Sequence, residues 1–272
     1  MTLPNFLVIG AARSGTTTLY YCLKNHPQVY VTPVLEPRFF AFEGDKVEFD
    51  GPGDGLLKRR IITKLDDYAE LFDRVTDEIA IGEVSPAYLT SESAPIRIRH
   101  YVPNAKIIAV LRNPVERAMS SFRLEVLQGL ELVDDFATAL RQEECRMKNN
   151  WSYVWQYKRR GCYYTQLKRY FDLFAKEQIK VFLFEDWKNG VALLKKIFRF
   201  LGVNETAAVQ ENIGHHNSTA NALFESRGIE RPELSTDVRL ALIEEYREEV
   251  DKLQDLIDCD LSSWLTASPG EE

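Results

Sequence analysis

Two short runs of the sequence carry residues whose types and spacing suit anion chemistry. In the first, Phe6-Leu7-Val8-Ile9-Gly10 leads into Ala11-Ala12-Arg13-Ser14-Gly15-Thr16-Thr17-Thr18, and then into a helical period from Leu19 to Leu23. A strand, a tight loop and a helix start in that order aim backbone N–H groups and the positive end of a helix dipole at one point, where an anion is stabilised. Gly10 and Gly15 bracket four residues, as in the nucleotide loop GxxxxGK[ST]. Thr16 stands where that motif has its lysine, and the loop's cation is Arg13. The buried run Lys106–Leu111 also lacks a closing aspartate of the kind that holds Mg²⁺ in nucleotide hydrolases.

The second run is Arg112-Asn113-Pro114-Val115-Glu116-Arg117-Ala118-Met119-Ser120. Arg112 follows a continuous apolar strand, at the edge where open α/β sheets bind ligands. Asn113 as N-cap, Pro114 at N1 and Glu116 at N3, placed to reach back, mark a helix start. Ser120 falls about 9–10 Å along that helix at 1.5 Å per residue, too deep to cap it. A second phosphate, held between Arg112 and the Ser120 hydroxyl, explains both residues.

The pair ARSGTTTL and VLRNPVERAMSSF resembles the 5′-phosphosulfate and 3′-phosphate motifs of sulfotransferases that use 3′-phosphoadenosine-5′-phosphosulfate (PAPS). Three further segments are similar to the heparan branch of that family: Glu36-Pro37-Arg38-Phe39-Phe40, Gly82-Glu83-Val84-Ser85-Pro86-Ala87-Tyr88, and Gly161-Cys162-Tyr163-Tyr164-Thr165-Gln166-Leu167. The closing Asp260-Leu261-Ser262-Ser263-Trp264-Leu265 resembles the tail of bacterial members, and Arg13 resembles the arginine of the tyrosylprotein branch. The resemblance implies that Arg13, Ser14, Gly15, Thr16 and Thr17 hold the 5′-phosphosulfate, with Thr18 adding a helix N-terminal donor. It places Arg112 and Ser120 on the 3′-phosphate, and Tyr163 (with Tyr164 as its rival) and Asn217 of the His215-His216-Asn217-Ser218 loop on the nucleotide. Leu35 and Val84 stand where heparan-type members often carry lysine, which bears on the acceptor rather than on the chemistry.

Sulfuryl transfer resembles phosphoryl transfer, so the protein's task is to position the group and stabilise spreading charge. Arg13 and the loop amides suit the leaving phosphate. The acceptor must lose a proton to a general base. Glu36 matches the catalytic glutamate of heparan-type relatives, and Phe39 and Phe40 beside it suggest partial desolvation. The alternatives are histidines: His26, read as a structural residue at a helix end, His100, and His215 or His216. No ligand spacing indicates a metal. The expected reaction is transfer from PAPS to a hydroxyl or amine of a small-molecule acceptor, a neutral or cationic secondary metabolite. A carbohydrate is the alternative acceptor, a P-loop nucleotide or small-molecule kinase the second reading, and a turnover-free binder of 3′-phosphoadenosine-5′-phosphate (PAP) the third.

The elements that must position these residues alternate short β-rich runs with helical periods, the pattern of a parallel α/β sheet. Strands are expected at Phe6–Gly10, Val29–Thr32, Ile79–Glu83, Lys106–Leu111 and Ile179–Phe184. Helices are expected at Thr17–Asn25, Asp66–Phe72, Pro95–Tyr101, Pro114–Gln128, Asp135–Lys148, Tyr163–Lys176, Val191–Leu201 (with Gly202 as its C′ stop) and Thr236–Ile257. Pro33–Gly55 and Asn204–Pro232 read as long loops. The stripe Ile243, Tyr246, Val250, Leu253, Ile257 reads as core-facing, with a dimer contact as the alternative, so the chain is expected to be monomer or homodimer. Trp151–Arg160 reads as packing or as lining for the acceptor, and Lys58-Arg59-Arg60 as a solvated cluster.

The whole is expected to be one α/β domain over residues 1–272, a central parallel sheet flanked by helices with a P-loop-like strand–loop–helix. At 272 residues, 45% apolar and 28% charged, the chain is of ordinary globular composition, which excludes disorder and collagen-like repeats. A net charge of −7 and a pI near 5.3 argue against a nucleic-acid partner or a large polyanion. The longest apolar run, Phe6 to Ala12, is short of the roughly 20 residues of a membrane span, and no basic segment precedes it. Four scattered cysteines without metal spacing fit free thiols, and the expected location is the cytoplasm.

Overall fold

The structure, a computed structural model, describes residues 1–207 and 217–267, the side chains of 217–221 excepted. In chain order its regular elements are β1 (Phe6–Gly10), α1 (Thr16–Lys24), β2 (Val29–Val31), α2 (Phe39–Phe42), α3 (Asp54–Lys58), α4 (Leu65–Ala69) and β3 (Ala80–Val84). There follow α5 (Ala87–Thr90), α6 (Ala94–Tyr101), β4 (Lys106–Leu111), α7 (Pro114–Leu127), α8 (Phe136–Lys148) and α9 (Tyr163–Phe171). The chain ends with β5 (Ile179–Leu183), α10 (Gly190–Leu201), α11 (Asn217–Arg227) and α12 (Thr236–Ile257). They fall into two compact units, each built from three stretches of chain. One comprises Met1–Val47, Arg59–Arg112 and Gln166–Ile213, the other Glu48–Lys58, Asn113–Thr165 and Gly214–Glu272.

The first unit holds a fully parallel sheet in the order β2-β3-β1-β4-β5. Phe6 of β1 lies opposite Gly82 of β3 and Lys106 of β4. Phe6, Val8, Ile108 and Val110 face a layer made by Leu19, Tyr20 and Leu23 of α1 and Leu193, Leu194, Ile197 and Phe198 of α10. The alternate residues Leu7, Ile9, Ile107 and Ala109 are buried as well. Both faces are therefore covered, which is why these strands read as continuous apolar runs. β1 and β4 have their expected bounds, β2 and β5 end one residue early, and β3 is displaced by one residue at both ends. From β1 the chain crosses to the edge strand β2, returns to β3 beside β1, and then runs outward on the other side through β4 and β5, so the connections leaving β1 and β4 diverge at a switch point between their carboxyl ends.

The second unit is helical. Val115, Ala118, Met119 and Phe122 of α7 are buried, as are Phe136 and Ala139 of α8 and Leu242, Ile243, Tyr246, Val250 and Leu253 of α12. The stripe on α12 is thus a core face, and Tyr246 donates its hydroxyl to the Lys158 carbonyl at 2.8 Å. The Trp151–Arg160 stretch packs around a cation. Arg146 pairs with Glu131 at 2.6 Å, and its guanidinium lies 5.0 Å from the Trp151 ring, 5.3 Å from Trp155 and 5.9 Å from Tyr157.

The start of α7 and the end of α10 carry the caps that the sequence signals, with one exception. Asn113 accepts from the amides of Val115 and Glu116 at 2.9 and 3.4 Å, as an N-cap should. Glu116 does not serve the expected capping box, because Arg239 of α12 takes its carboxylate at 2.5 Å. Gly202 ends α10 at φ 84°, its N–H closing on the Phe198 carbonyl at 2.9 Å.

Three expectations are corrected. α9 stops at Phe171 instead of Lys176, because the amides of Leu173 and Phe174 turn back to the Tyr170 carbonyl and Gln178 ties the chain to the carbonyls of Pro103 and Ala105 before β5. The segment 204–232 contains α11, which Gly228 closes at φ 63°. The segment 33–55 contains α2, whose phenylalanines Phe39 and Phe40 are fully buried.

Candidate functional site

The loop between β1 and α1 has the geometry of an anion cradle. Arg13 and Gly15 take φ values of 68° and 81°, turning the chain sharply into α1. A Cβ on Gly15 would lie 2.5 Å from the indole Nε1 of Trp187, so both the backbone conformation and the close approach require glycine. α1 starts without a side-chain cap and without an acidic residue in its first turn, which leaves the N–H groups of Thr16 to Thr18 for an outside acceptor. The Ser14 hydroxyl is fully buried and has no partner among the described residues, nor has Nε1 of Trp187. A buried orphan hydroxyl at the head of an uncapped helix fits a bound anion. Arg13 and Thr17 are exposed at the loop's rim, Thr18 is half-buried and Thr16 is buried.

β4 brings Arg112 to the same place. The Ala11 amide donates to the Val110 carbonyl at 2.7 Å, which fastens the loop to the end of β4. Arg112 then donates from Nη1 to the Arg13 carbonyl at 3.4 Å, and its guanidinium lies 4.7 Å from the centre of the Phe184 ring. Phe184, just beyond β5, was not singled out in the sequence; an aromatic residue closing the strand next to an arginine-bearing one was the available signal. Ser120 stands half-buried in the second turn of α7, within the second unit.

Glu36 lies at the carboxyl end of β3, where its amide donates to the Val84 carbonyl at 3.1 Å. Glu36 and Arg38 have φ values of 58° and 59°, in the left-handed region. Arg38 folds back, donating from Nη1 to the Glu36 carbonyl at 2.8 Å and pairing through Nη2 with the Glu36 carboxylate. The expected desolvation by Phe39 and Phe40 is not the arrangement found. Those rings turn inward, Phe39 stacking on Tyr68 at 4.3 Å, while the Glu36 side chain keeps 28% of its surface exposed beside a cation.

Beneath that loop is a carboxylate that sequence reasoning left unassigned. Glu83 of β3 is fully buried and accepts from the Ser85 hydroxyl at 2.7 Å, from Tyr68 at 3.2 Å and from Tyr88. Burial pushes its carboxyl up to about 7, against the pull of these three hydroxyl bonds; the nearby Glu36 adds to the rise. Burial and the same carboxylate hold the Tyr68 and Tyr88 phenols well above their usual range. Glu83, Ser85 and Tyr88 belong to one segment of the sequence, but the hydrogen bonds that join them are visible only in three dimensions.

The remaining candidates fall elsewhere. Tyr163 is buried in the second unit, its ring 6.2 Å from that of Trp264, and Tyr164 carries Lys252 at 5.6 Å. Asn217 opens α11, but its side chain lies outside the described residues, as do His215 and His216 altogether. His26 is structural, as expected: Nε2 donates to the Asn204 carbonyl at 2.8 Å, Nδ1 accepts from the Gln28 amide, and the ring packs 4.5 Å from Phe198. His100 is exposed, edge-on to Tyr101. Among the described residues no group of three His, Cys, Asp or Glu side chains is placed to hold a metal ion, and no helix is long and apolar enough to cross a membrane.

Comparison with known proteins gives consistent results. A family model described as the sulfotransferase domain matches residues 57–226. A crystal structure of a sulfotransferase from Alicyclobacillus acidocaldarius superposes with a TM-score of 0.86, at 34% identity, covering 98% of this chain and all of that one. The bifunctional heparan sulfate N-deacetylase/N-sulfotransferase 2 of Bos taurus is 26% identical over 97% of this chain and 31% of its own length. Human carbohydrate sulfotransferase 15 is 24% identical over 81% of this chain and 47% of its own. The chain therefore spans less than half the length of these curated relatives.

Proposed function

The chain belongs to the sulfotransferase family, and from that premise we propose that it moves a sulfuryl group from PAPS to a hydroxyl or amine of a small-molecule acceptor. The observation that carries this reading is the cradle at the sheet's carboxyl edge, where the orphan Ser14 hydroxyl heads an uncapped helix and Arg112 is drawn to the same loop. When bound, PAPS supplies the activated sulfuryl group and its phosphate leaving group. Ser14, Gly15, Thr16, Thr17 and Thr18 would receive the 5′ end through backbone and hydroxyl donors, and Arg13 would neutralise charge gathering on the leaving oxygen. Arg112 and Ser120 would hold the 3′-phosphate, a role supported by their order and spacing in the sequence and by the position of Arg112 beside the loop. Tyr163 and Asn217 are proposed for the nucleotide on sequence resemblance alone.

Glu36 is proposed as the general base. Its support is its place at the edge of β3 in a sharply turned loop, together with partial exposure that leaves the carboxylate accessible to an acceptor. Arg38 pairs with that carboxylate and orients it until the acceptor hydroxyl or amine competes for it. The two compact units are proposed to work as one sulfotransferase domain, in the cytoplasm, a location supported by four cysteines that are all free thiols.

For the acceptor, the net charge of −7 supports a neutral or cationic small molecule. A carbohydrate is the second reading, supported by relatives named for carbohydrate and heparan sulfate. The test is transfer of labelled sulfuryl from PAPS to a panel of alcohols, amines, guanidines and oligosaccharides, with ATP and Mg²⁺ as the parallel donor. PAPS-dependent product is expected. Phosphorylated product from ATP, with none from PAPS, would replace this reading by a kinase.

A further inference from the structure

Glu36 and Arg38 both adopt left-handed backbone conformations, which neither side chain favours and which persist only where surrounding contacts over-determine them. Two of those contacts are side-chain hydroxyls that receive backbone N–H groups of the loop. The Arg38 amide donates to the Ser85 hydroxyl at 3.0 Å, and the Phe40 amide to the Tyr88 hydroxyl at 3.3 Å. Both hydroxyls in turn donate to one carboxylate, Ser85 to one oxygen of Glu83 and Tyr88 to the other.

We propose that Glu83 is the positioning residue for Glu36: its buried carboxylate fixes the Ser85 and Tyr88 hydroxyls so that their lone pairs face the Arg38 and Phe40 amides and lock the loop that presents the base. This rests on the reading of Glu36 as general base. The physical reason is the donor and acceptor inventory. An ionised carboxylate only accepts, so each hydroxyl must spend its single proton on Glu83 and turn its oxygen outward to the loop. An amide or a protonated acid at the same place offers a donor on one side, and the hydroxyl facing that donor loses its imposed direction. Cooperative chains of this kind are strongest where water is excluded, and Glu83, Ser85 and Tyr88 are each fully buried.

The same inventory makes the device pH-sensitive, since burial holds the Glu83 carboxyl near neutrality. The titratable and charged groups around it are Glu36 and Arg38 from the loop, Tyr68 from α4, Tyr88 from α5, and Tyr170 from α9, whose hydroxyl donates to the Tyr88 carbonyl at 2.8 Å. The tyrosines stay protonated throughout the range in which Glu83 changes charge, because burial holds all three phenols well above their usual range.

Residue-resolved amide hydrogen exchange, measured alongside steady-state kinetics and PAP binding, tests the proposal. In Glu83→Gln the Arg38 and Phe40 amides should exchange about tenfold faster or more, as for a weakened local contact, and kcat should fall about tenfold while PAP affinity stays within about twofold. Ser85→Ala should release Arg38 alone and Tyr88→Phe should release Phe40 alone, so the proposal is judged even if Glu83→Gln folds poorly. In the wild type, protection of both amides, corrected for intrinsic exchange, should weaken as pH falls through neutrality, and in Glu83→Gln it should be flat. Unchanged protection at both amides in all three variants overturns the positioning role. A parallel fall of kcat and PAP affinity overturns it too, as general loosening. Glu36→Gln separates the premise: wild-type turnover in that variant removes the base assignment, while the exchange pattern still decides whether Glu83 orders the loop.

Discussion

Replacing Glu83 by glutamine should make the protein's stability less dependent on pH, and the size of the effect follows from burial. The carboxyl is raised from an ordinary 4.5 to about 7, chiefly because the ionised form loses its hydration inside the sheet unit. The folded state therefore binds this proton more tightly than the unfolded chain does. The contribution to stability is fully present below pH 4.5 and is lost as pH rises through about 7. At roughly 1.4 kcal/mol for each tenfold change in proton affinity, the interval corresponds to about 3 kcal/mol. Glutamine carries no such charge. The stability of Glu83→Gln relative to wild type should accordingly improve by about 2–3 kcal/mol between about pH 5 and about pH 8, whatever its absolute level. Urea unfolding of both proteins across that range measures the difference and cancels the titration of all other groups. A difference that stays constant within about 0.5 kcal/mol would mean that Glu83 titrates normally in the folded state, and the account of its buried cluster would be wrong.

Three more outcomes follow from the geometry. Glu36→Gln should leave PAP affinity nearly intact and lower kcat by roughly 10²-fold or more with the true acceptor; pre-steady-state kinetics and PAP titration check it. Gly15→Ala should destabilise the protein by about 1–3 kcal/mol and weaken PAP binding, because alanine at φ 81° is strained and its Cβ would lie 2.5 Å from Trp187 Nε1; thermal unfolding with and without PAP reads both effects. Arg146→Leu should cost about 3–5 kcal/mol in urea unfolding, since it strands the buried Glu131 carboxylate, which Arg146 and Tyr157 otherwise keep below the usual range against the opposing effect of burial.

The parts of the fold that could be read from the sequence are those fixed by local pattern. β1 and β4 were legible because strands covered on both faces must be apolar without interruption, and the stop at Gly202 because only glycine takes that conformation freely. The strand–loop–helix at β1 and α1 was legible for the same kind of reason: a strand, a glycine-bearing turn and a helix start are contiguous in the chain. α11 was not, since Asn217–Arg227 carries only a weak apolar stripe to announce a helix. The environment of Glu36 was also beyond reach. Neither Glu36 nor Arg38 is a residue type that signals a left-handed turn, and their pairing depends on that turn. Glu83 was hidden for a third reason. Its partners Tyr68 and Tyr88 come from helices on either side of β3 in the chain, and only packing reveals that a carboxylate in a strand has three hydroxyls waiting for it.

The central claim is that the cradle at β1 and the arginine at the end of β4 together bind a nucleotide bearing both a 5′ and a 3′ anion. Calorimetric titration with PAPS and with adenosine 5′-phosphosulfate, which lacks the 3′-phosphate, tests it directly in wild type and Arg112→Ala. The account predicts that wild type prefers PAPS by about 10²-fold, as a charge-assisted phosphate contact would give, and that Arg112→Ala loses most of this preference while still binding the 5′ end. Equal affinity of the wild type for the two nucleotides, or a preference untouched by Arg112→Ala, would contradict it.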